Sequence, residues 1–233
     1  SLLGKPKLAF NWDGGSATKL TIGATGGYRM EILVRGIASH AGGAPEQGVS
    51  AIAIASIAIA DLHQQGWHGL IRKSGKAGTS NVGVVSGGAA TNVVADEVRL
   101  RAEARSHDSR FRERIVRQIE QAFQRAVKQV RNDTGKTGSV EFEGRLDYDS
   151  FCLAADEPCV LTAKEAVRSC GGTPELAIAN GGLDANWLSA RGIPTVSLGC
   201  GQLNQHTVSE ALDIQQFRRA RKIAERLARG DHD

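Results

Sequence analysis

The 233-residue sequence predicts an α/β protein in which a ferredoxin-like βαββαβ unit interrupts a second α/β layer. Three observations predict it. From Tyr28 to Glu143, segments of period-two alternation and segments of helical period follow one another in the order β-α-β-β-α-β. After Arg145 short strands and helices alternate instead, and Ile193–Leu198 is a continuous apolar run of the kind buried on both faces of a parallel sheet. Before Tyr28, Lys7–Trp12 reads as a short buried strand. The two flanks together are too short for a full doubly wound domain.

Taken in order, Lys7–Trp12 ends at the turn Asp13-Gly14-Gly15, and Lys19–Ile22 is a second short strand closed by glycines. Tyr28–Gly36 alternates, with Met30, Ile32 and Val34 on one face. Val49–Gln65 is ambiguous: its isoleucines alternate locally, but its length, its alanines and the Gly66 stop favour a helix. Thr79–Ser86 is a strand, and Glu97–Arg105 alternates Val98, Leu100, Ala102 and Ala104 against charge. Ser109–Val130 carries the clearest helical stripe, Phe111, Ile115, Ile119, Phe123, Val127 and Val130, with Asp108 or Ser109 as its cap. Ser139–Glu143 is a strand. Beyond it come a helix from Asp156 to Cys170, a strand at Leu176–Ala179, and a short helix Ala185–Arg191 capped by Asp184. The strand Ile193–Leu198 follows. Last is a helix capped by Asp213, with Phe217, Ala220, Ala224 and Leu227 facing inward.

Composition is that of an ordinary globular chain, 41% hydrophobic and 23% charged, with net charge +4 and a pI of about 9.0. The four cysteines form no CxxC pair and read as reduced thiols, with two disulfides as the alternative. Reduced thiols suit a cytoplasmic location, and no apolar run reaches the ~18 residues of a membrane span, so no membrane contact is expected. The chain starts at Ser1 and its single methionine is Met30. It is therefore expected to be a fragment whose true N-terminus, with or without a targeting segment, lies upstream.

Four loops carry the candidate chemistry. Arg35–Pro45 is a turn of Gly, Ala and Ser around one imidazole, His40, which is either solvated or aimed at a substrate oxygen. Asp13 stands at a strand end beside glycines, a common place for a ligand and equally for an Asx-turn. Asn180–Asp184 is a glycine loop, and Gly199–His206 leads into Thr207-Val208-Ser209-Glu210. His63, His68 and His107 have no partner pattern, and Cys200 six residues before His206 makes a poor zinc pair without further ligands.

Three segments, Gly36-Ile-Ala-Ser-His-Ala-Gly-Gly-Ala-Pro-Glu46, Gly181-Gly-Leu-Asp-Ala-Asn186, and Leu198-Gly199 followed by His206 and Glu210, carry a resemblance. In this order and at these separations the chain resembles the di-zinc amidohydrolases and peptidases that include glutamate carboxypeptidase, aminoacylase and acetylornithine deacetylase. The likeness runs from about Leu8 to the end. It implies a zinc-peptidase-like α/β catalytic domain interrupted by a βαββαβ lid that pairs with its copy. Residues 1–25 would be a catalytic-domain segment, 26–146 the lid, and 147–233 the rest of the catalytic domain. It implies that Asp13 and His206 are terminal ligands of two different zinc ions, with cobalt or manganese as substitutes. His40 is implied to polarise the scissile carbonyl in the partner's active site. Asn92 and Arg145 are implied to hold the substrate's carboxylate, and Gly181 and Gly182 to wall the substrate backbone. The implied substrate is an N-acyl amino acid or a peptide, and the implied assembly a homodimer.

The same resemblance exposes a departure. The family's His-x-Asp pair, bridging aspartate and Glu-Glu pair, which include its general base, precede the Asp13 position and are not in this sequence. The chain alone is therefore expected to be inactive, with zinc absent or incomplete. Leu183 stands where threonine or serine is commoner in the family, which bears on substrate preference. A non-catalytic dimerising remnant or ligand-binding module is the alternative. An RNA-binding βαββαβ unit is a further one, prompted by the basic residues of Arg99–Arg131. Such units place aromatics on their central strands; Thr79–Ser86 and Glu97–Arg105 have none, and Glu113 and Glu120 break up the basic helix. No nucleic-acid partner is expected.

Overall fold

The computed structural model describes residues 6–230; the outermost ends of the expected segments 1–25 and 147–233 lie outside the described residues. The chain forms two units, one from residues 1–25 and 148–233 and one from Gly26–Asp147. In chain order the elements are β1 (Ala9–Trp12) and β2 (Lys19–Ala24), then β3 (Gly26–Arg35), α1 (Ala51–Gln64), β4 (Gly69–Lys73), β5 (Lys76–Gly87), β6 (Glu97–Ser106), α2 (Ser109–Gln129) and β7 (Ser139–Tyr148). They continue with β8 (Phe151–Cys152), α3 (Pro158–Ser169), β9 (Glu175–Ala179), α4 (Asp184–Ser189), β10 (Thr195–Leu198) and α5 (Ile214–Arg229).

The inserted unit is a five-stranded sheet in the order β4-β5-β6-β3-β7 with α1 and α2 packed against it. Its alternation works as expected. Met30, Ile32 and Val34 of β3 and Val98, Leu100, Ala102 and Ala104 of β6 are all buried, and the two strands pair antiparallel from Gly26↔Ser106 to Arg35↔Glu97. Phe111, Ile115, Ile119 and Phe123 of α2 close the core, and Phe123 meets Phe142 of β7 edge-on, ring centroids 6.3 Å apart. Each such buried side chain stabilises the unit by about 1.5–3 kcal/mol. The Asp108 carboxylate caps α2 by accepting from Phe111 N at 2.8 Å and pairs with Lys76 at 2.6 Å. Lys76, then the Phe111 N–H, hold its carboxyl below the usual carboxylate value. Val49–Gln65 resolves as helix from Ala51, with the Ser50 hydroxyl accepting from Ala53 N.

The βαββαβ expectation omits one strand. Gly69–Lys73 pairs antiparallel with Lys76–Ser80 across a Ser74-Gly75 turn in which both residues have positive φ. Only Ile71 of β4 is buried, so the segment lacks an apolar alternation to mark it. β7 also extends to Tyr148, which places Arg145 within a strand.

The flanking unit is built on β2. One side of β2 pairs with β9 in parallel; the other meets β10 and then β8, both antiparallel, and β1 pairs with β10 in parallel. All four residues of β10 are buried, and Leu20, Cys159, Val160, Val167, Val196, Leu198 and Ile223 form the core. Burial, with Glu157 nearby, pushes the Cys159 thiol up, and all four cysteines are free. Two local expectations are corrected. Asp184 does not cap α4; the cap position is Leu183, whose N–H donates to Asn186 Oδ1. On α5 Phe217 is 46% exposed, and Ala220 and Ile223 carry the burial. No helix among the described residues is long and apolar enough to cross a membrane.

Candidate functional site

In the inserted unit the chain leaves β3 at Arg35 and keeps pairing beyond the sheet. Gly36 N donates to Asp96 O, Val94 N to Ser39 O, and Ala41 N to Asn92 O, while His40 bridges Val93. Residues 36–41 and 92–96 therefore form a ribbon that continues past the sheet end. Gly36 permits this, because a Cβ there would collide with the Val49 carbonyl. His40 and Asn92 stand together at the ribbon's tip.

The exposed imidazole of His40 is held by its own turn. Its Nδ1 accepts from Gly42 N at 3.1 Å and from Gly43 N at 2.9 Å. Two N–H groups aimed at Nδ1 require a lone pair there, so the neutral ring carries its proton on Nε2. That leaves one N–H donor directed away from the turn, the form that can hydrogen-bond a carbonyl oxygen or an oxyanion.

Arg145 is elsewhere. Arg29 pairs with Asp147 at 2.7 Å, Arg145 Nε lies 3.8 Å from the same carboxylate, and Tyr28 packs against Gly144. At the other end of the same strand pair Arg35 meets Glu141. From Arg29 to Arg35 is about 20 Å of strand rise, and His40 lies beyond that. Within one copy of this unit Arg145 and Asn92 cannot grip one carboxylate. Arg145, 77% exposed, instead borders a concavity of about 700 Å³ on the sheet, with Arg29, Asn81, Arg101 and Glu143.

β5 has an open edge. Its pairing with β4 ends at Gly69↔Ser80, the next outward N–H, of Val82, donates to His68 Nε2 at 3.3 Å, and a bulge follows between Val82 and Val84. From Val84 to Gly87 the strand has no partner on this side among the described residues. Val84 and Val85 are 38% and 55% exposed there, and Ile52 of α1, 47% exposed, lies against Gly88.

In the flanking unit the Asp13 turn is tied to the loop that carries His206. Asp13 N donates to Leu198 O, Cys200 N and Gln202 N to Gly14 O, Gly201 N to Gly15 O, and Gly14 N to Gln202 Oε1. Asp13 and His206 are both exposed. His206 has φ +63°, and its N–H donates to Glu210 Oε2 at 2.9 Å, which fixes the loop's last turn. A zinc site takes about four ligands. Among the described residues no three His, Cys, Asp or Glu side chains come together, so those residues alone do not supply such a ligand set.

Gly181 and Gly182 lie away from Asp13. By register Ala179 stands opposite Ala24 and Leu198 opposite Leu20, so four residues of β2, about 13 Å, separate the two strand ends. The two glycines differ in kind. A Cβ on Gly182 would enter the Tyr148 ring, whereas one on Gly181 would meet nothing within 4 Å. Asn186, just beyond them and 1% exposed, is the residue that sequence reasoning passed over.

Residues 22–131 match the model of a peptidase dimerisation domain (M20_dimer). The chain is 34% identical over 203 residues to the uncharacterised protein YqjE of Bacillus subtilis, covering 87% of this chain and 51% of that protein. It superposes on the aminopeptidase PepT of Bacillus cereus with a TM-score of 0.79 at 33% identity, over 95% of this chain and 56% of that one. A tripeptidase of Staphylococcus aureus gives 0.85 at 29% identity, over 97% and 57%. The chain thus spans about half the length of the relatives it matches. Residues 22–131 thus carry the dimerisation domain of a peptidase family, and the chain is similar over most of its length to peptidases.

Proposed function

We propose that the chain is part of a cytoplasmic, metal-dependent hydrolase that cleaves an amide or peptide bond next to a free carboxylate and works as a homodimer. In this reading Gly26–Asp147 is the lid, and the flanking segments, before Gly26 and after Asp147, belong to the catalytic domain. The observation that carries it is His40: an imidazole whose Nδ1 is saturated by two backbone N–H groups, at the tip of a ribbon, with its Nε2–H free to donate. Nothing in its own unit uses that donor. In the dimer it polarises the scissile carbonyl held by the partner, and Asn92 beside it meets the same substrate. Arg145, too far from Asn92 to share a carboxylate within one copy, supplies a planar fork for the carboxylate bound by its own subunit. Gly181 and Gly182 give the substrate backbone a wall without side chains.

Asp13 and His206 would each give one ligand to a zinc ion, two zinc ions per site, with cobalt or manganese as substitutes. The remaining ligands would come from the rest of the complete protein, and a bound metal would supply an activated water. The match of residues 22–131 to a dimerisation domain supports a second reading for the chain alone, a dimerising module without turnover.

The test uses the complete protein. His40→Ala should lower kcat by about 10²–10³, as expected for a lost oxyanion donor, and Arg145→Ala should mainly raise KM. Mixing His40→Ala with Asp13→Ala subunits should restore activity, because one site of each mixed dimer keeps both parts. Mixed dimers shown to form and yet inactive would refute action across the dimer. A fully metallated complete protein that hydrolyses no N-acyl amino acid or peptide would refute the assignment.

A further inference from the structure

The chain enters the inserted unit after Thr25 and has left it at Tyr148. Both crossings end on one side chain. Asn186 Nδ2 donates to Thr25 O at 3.1 Å and to Asp149 O at 2.7 Å, and its Oδ1 accepts from Leu183 N at 2.8 Å. The amide is thus satisfied at both donors and once at its acceptor, in a site closed to water, with Asn186 1% exposed. Thr25 N also donates to Ala179 O, at the end of the strand that feeds the Gly181–Gly182 loop. Leu183 follows that loop directly.

We infer that Asn186 is a positioning residue that ties the Gly181–Gly182 loop to both chain crossings, so that the loop and the two crossings hold one register. The choice of residue follows from the chemistry. Two carbonyl oxygens converge on Nδ2, and only a group with two donors and an acceptor on one planar end serves all three partners. A carboxylate has the same shape but would face Thr25 O and Asp149 O with a third oxygen and no proton. The tie stands on geometry within the flanking unit; its bearing on substrate rests on the reading of Gly181 and Gly182 proposed above.

Hydrogen exchange on the 233-residue chain tests the tie without any activity. In Asn186→Asp, peptides covering residues 24–27 and 148–152 should exchange about tenfold faster or more, the effect of losing both Nδ2 bonds. The Leu183 amide should keep its protection, because Oδ1 still accepts. In Asn186→Ala the Leu183 amide should lose protection as well, and in both variants the β6 peptide Val98–Ala104 should exchange as in the wild type. If Asn186→Asp does not fold, Asn186→Ala decides. Crossings that exchange as in the wild type in the folded variants, or a β6 peptide that opens equally, overturn the inference. In the complete protein Asn186→Asp should raise KM with kcat nearly kept. Faster exchange with an unchanged KM would retire the loop's substrate role while leaving the tie intact.

Discussion

Replacing Val85 by lysine should separate the proposed dimer without unfolding either subunit. With the proposed dimer pairing along the open edge of β5, Val85 and Ile52 are the most exposed large apolar side chains described there, at 55% and 47%. Fully burying such a side chain contributes about 1.5–3 kcal/mol, so covering their exposed parts contributes about 1 kcal/mol each. A two-fold interface uses each residue twice. Loss of both Val85 contacts then removes about 2 kcal/mol, a dimer dissociation constant weaker by about thirtyfold. The two ammonium groups brought face to face add to that. Val85→Lys with Ile52→Lys should approach a thousandfold. Sedimentation equilibrium of the 233-residue chain at about 0.15 M salt reads the constant, with circular dichroism to confirm that the variants fold. Leu146→Lys is the control: Leu146 is 49% exposed on β7, the opposite edge strand. A wild-type chain that stays monomeric at high concentration would refute the reasoning. So would a dimer that survives Val85→Lys and is lost with Leu146→Lys.

Two further outcomes follow from the geometry. Asp108→Asn keeps a good helix cap but loses the charge that pairs with Lys76. Because the folded-state pKa of Asp108 is depressed, its contribution is present above the unfolded pKa and disappears as pH falls through the folded one. The melting temperature of the wild type should therefore exceed that of Asp108→Asn near neutral pH, and the gap should close as the carboxyl protonates in acid; a gap independent of pH would rule out the Lys76 pair as its source. Gly182→Ala should destabilise the chain by about 1–3 kcal/mol, since its Cβ enters the Tyr148 ring, while Gly181→Ala should unfold in urea at the wild-type midpoint; equal midpoints for the two variants would contradict this packing.

Much of the fold was legible because burial follows simple periods. The alternation in β3 and β6 and the i, i+4 stripe of α2 reflect one core contacted from two sides, and each hydrophobic residue announces its face. β4 escaped because only Ile71 is buried; its real signal was the Ser74-Gly75 turn that leads into β5. Phe217 was misplaced because Ala220 and Ile223 already fill the contact, and a large side chain one turn earlier has nothing to cover it. The site was legible in its residue types but not in its distances. The closeness of His40 and Asn92 depends on a ribbon joining residues far apart in sequence, and the separation of Arg145 depends on how far β7 runs. Asn186 was hidden for another reason. Its Oδ1 bonds a local amide, as a residue near a helix start often does, but its Nδ2 serves two carbonyls that are distant in the sequence.

β5 is two strands in one. Gly78–Ser80 is paired on both sides within its own chain, and Val84–Gly87 on one, with His68 and the bulge marking the seam. The inner half builds the subunit; in the proposed dimer the outer half would choose its company, so the two can be altered separately. Lysine at position 85 in one copy and glutamate in another would penalise each like pair and favour the mixed one. Subunits with different substitutions at His40 or Arg145 would then assemble in a set order, and a two-site molecule could be given one working site by choice of edge alone.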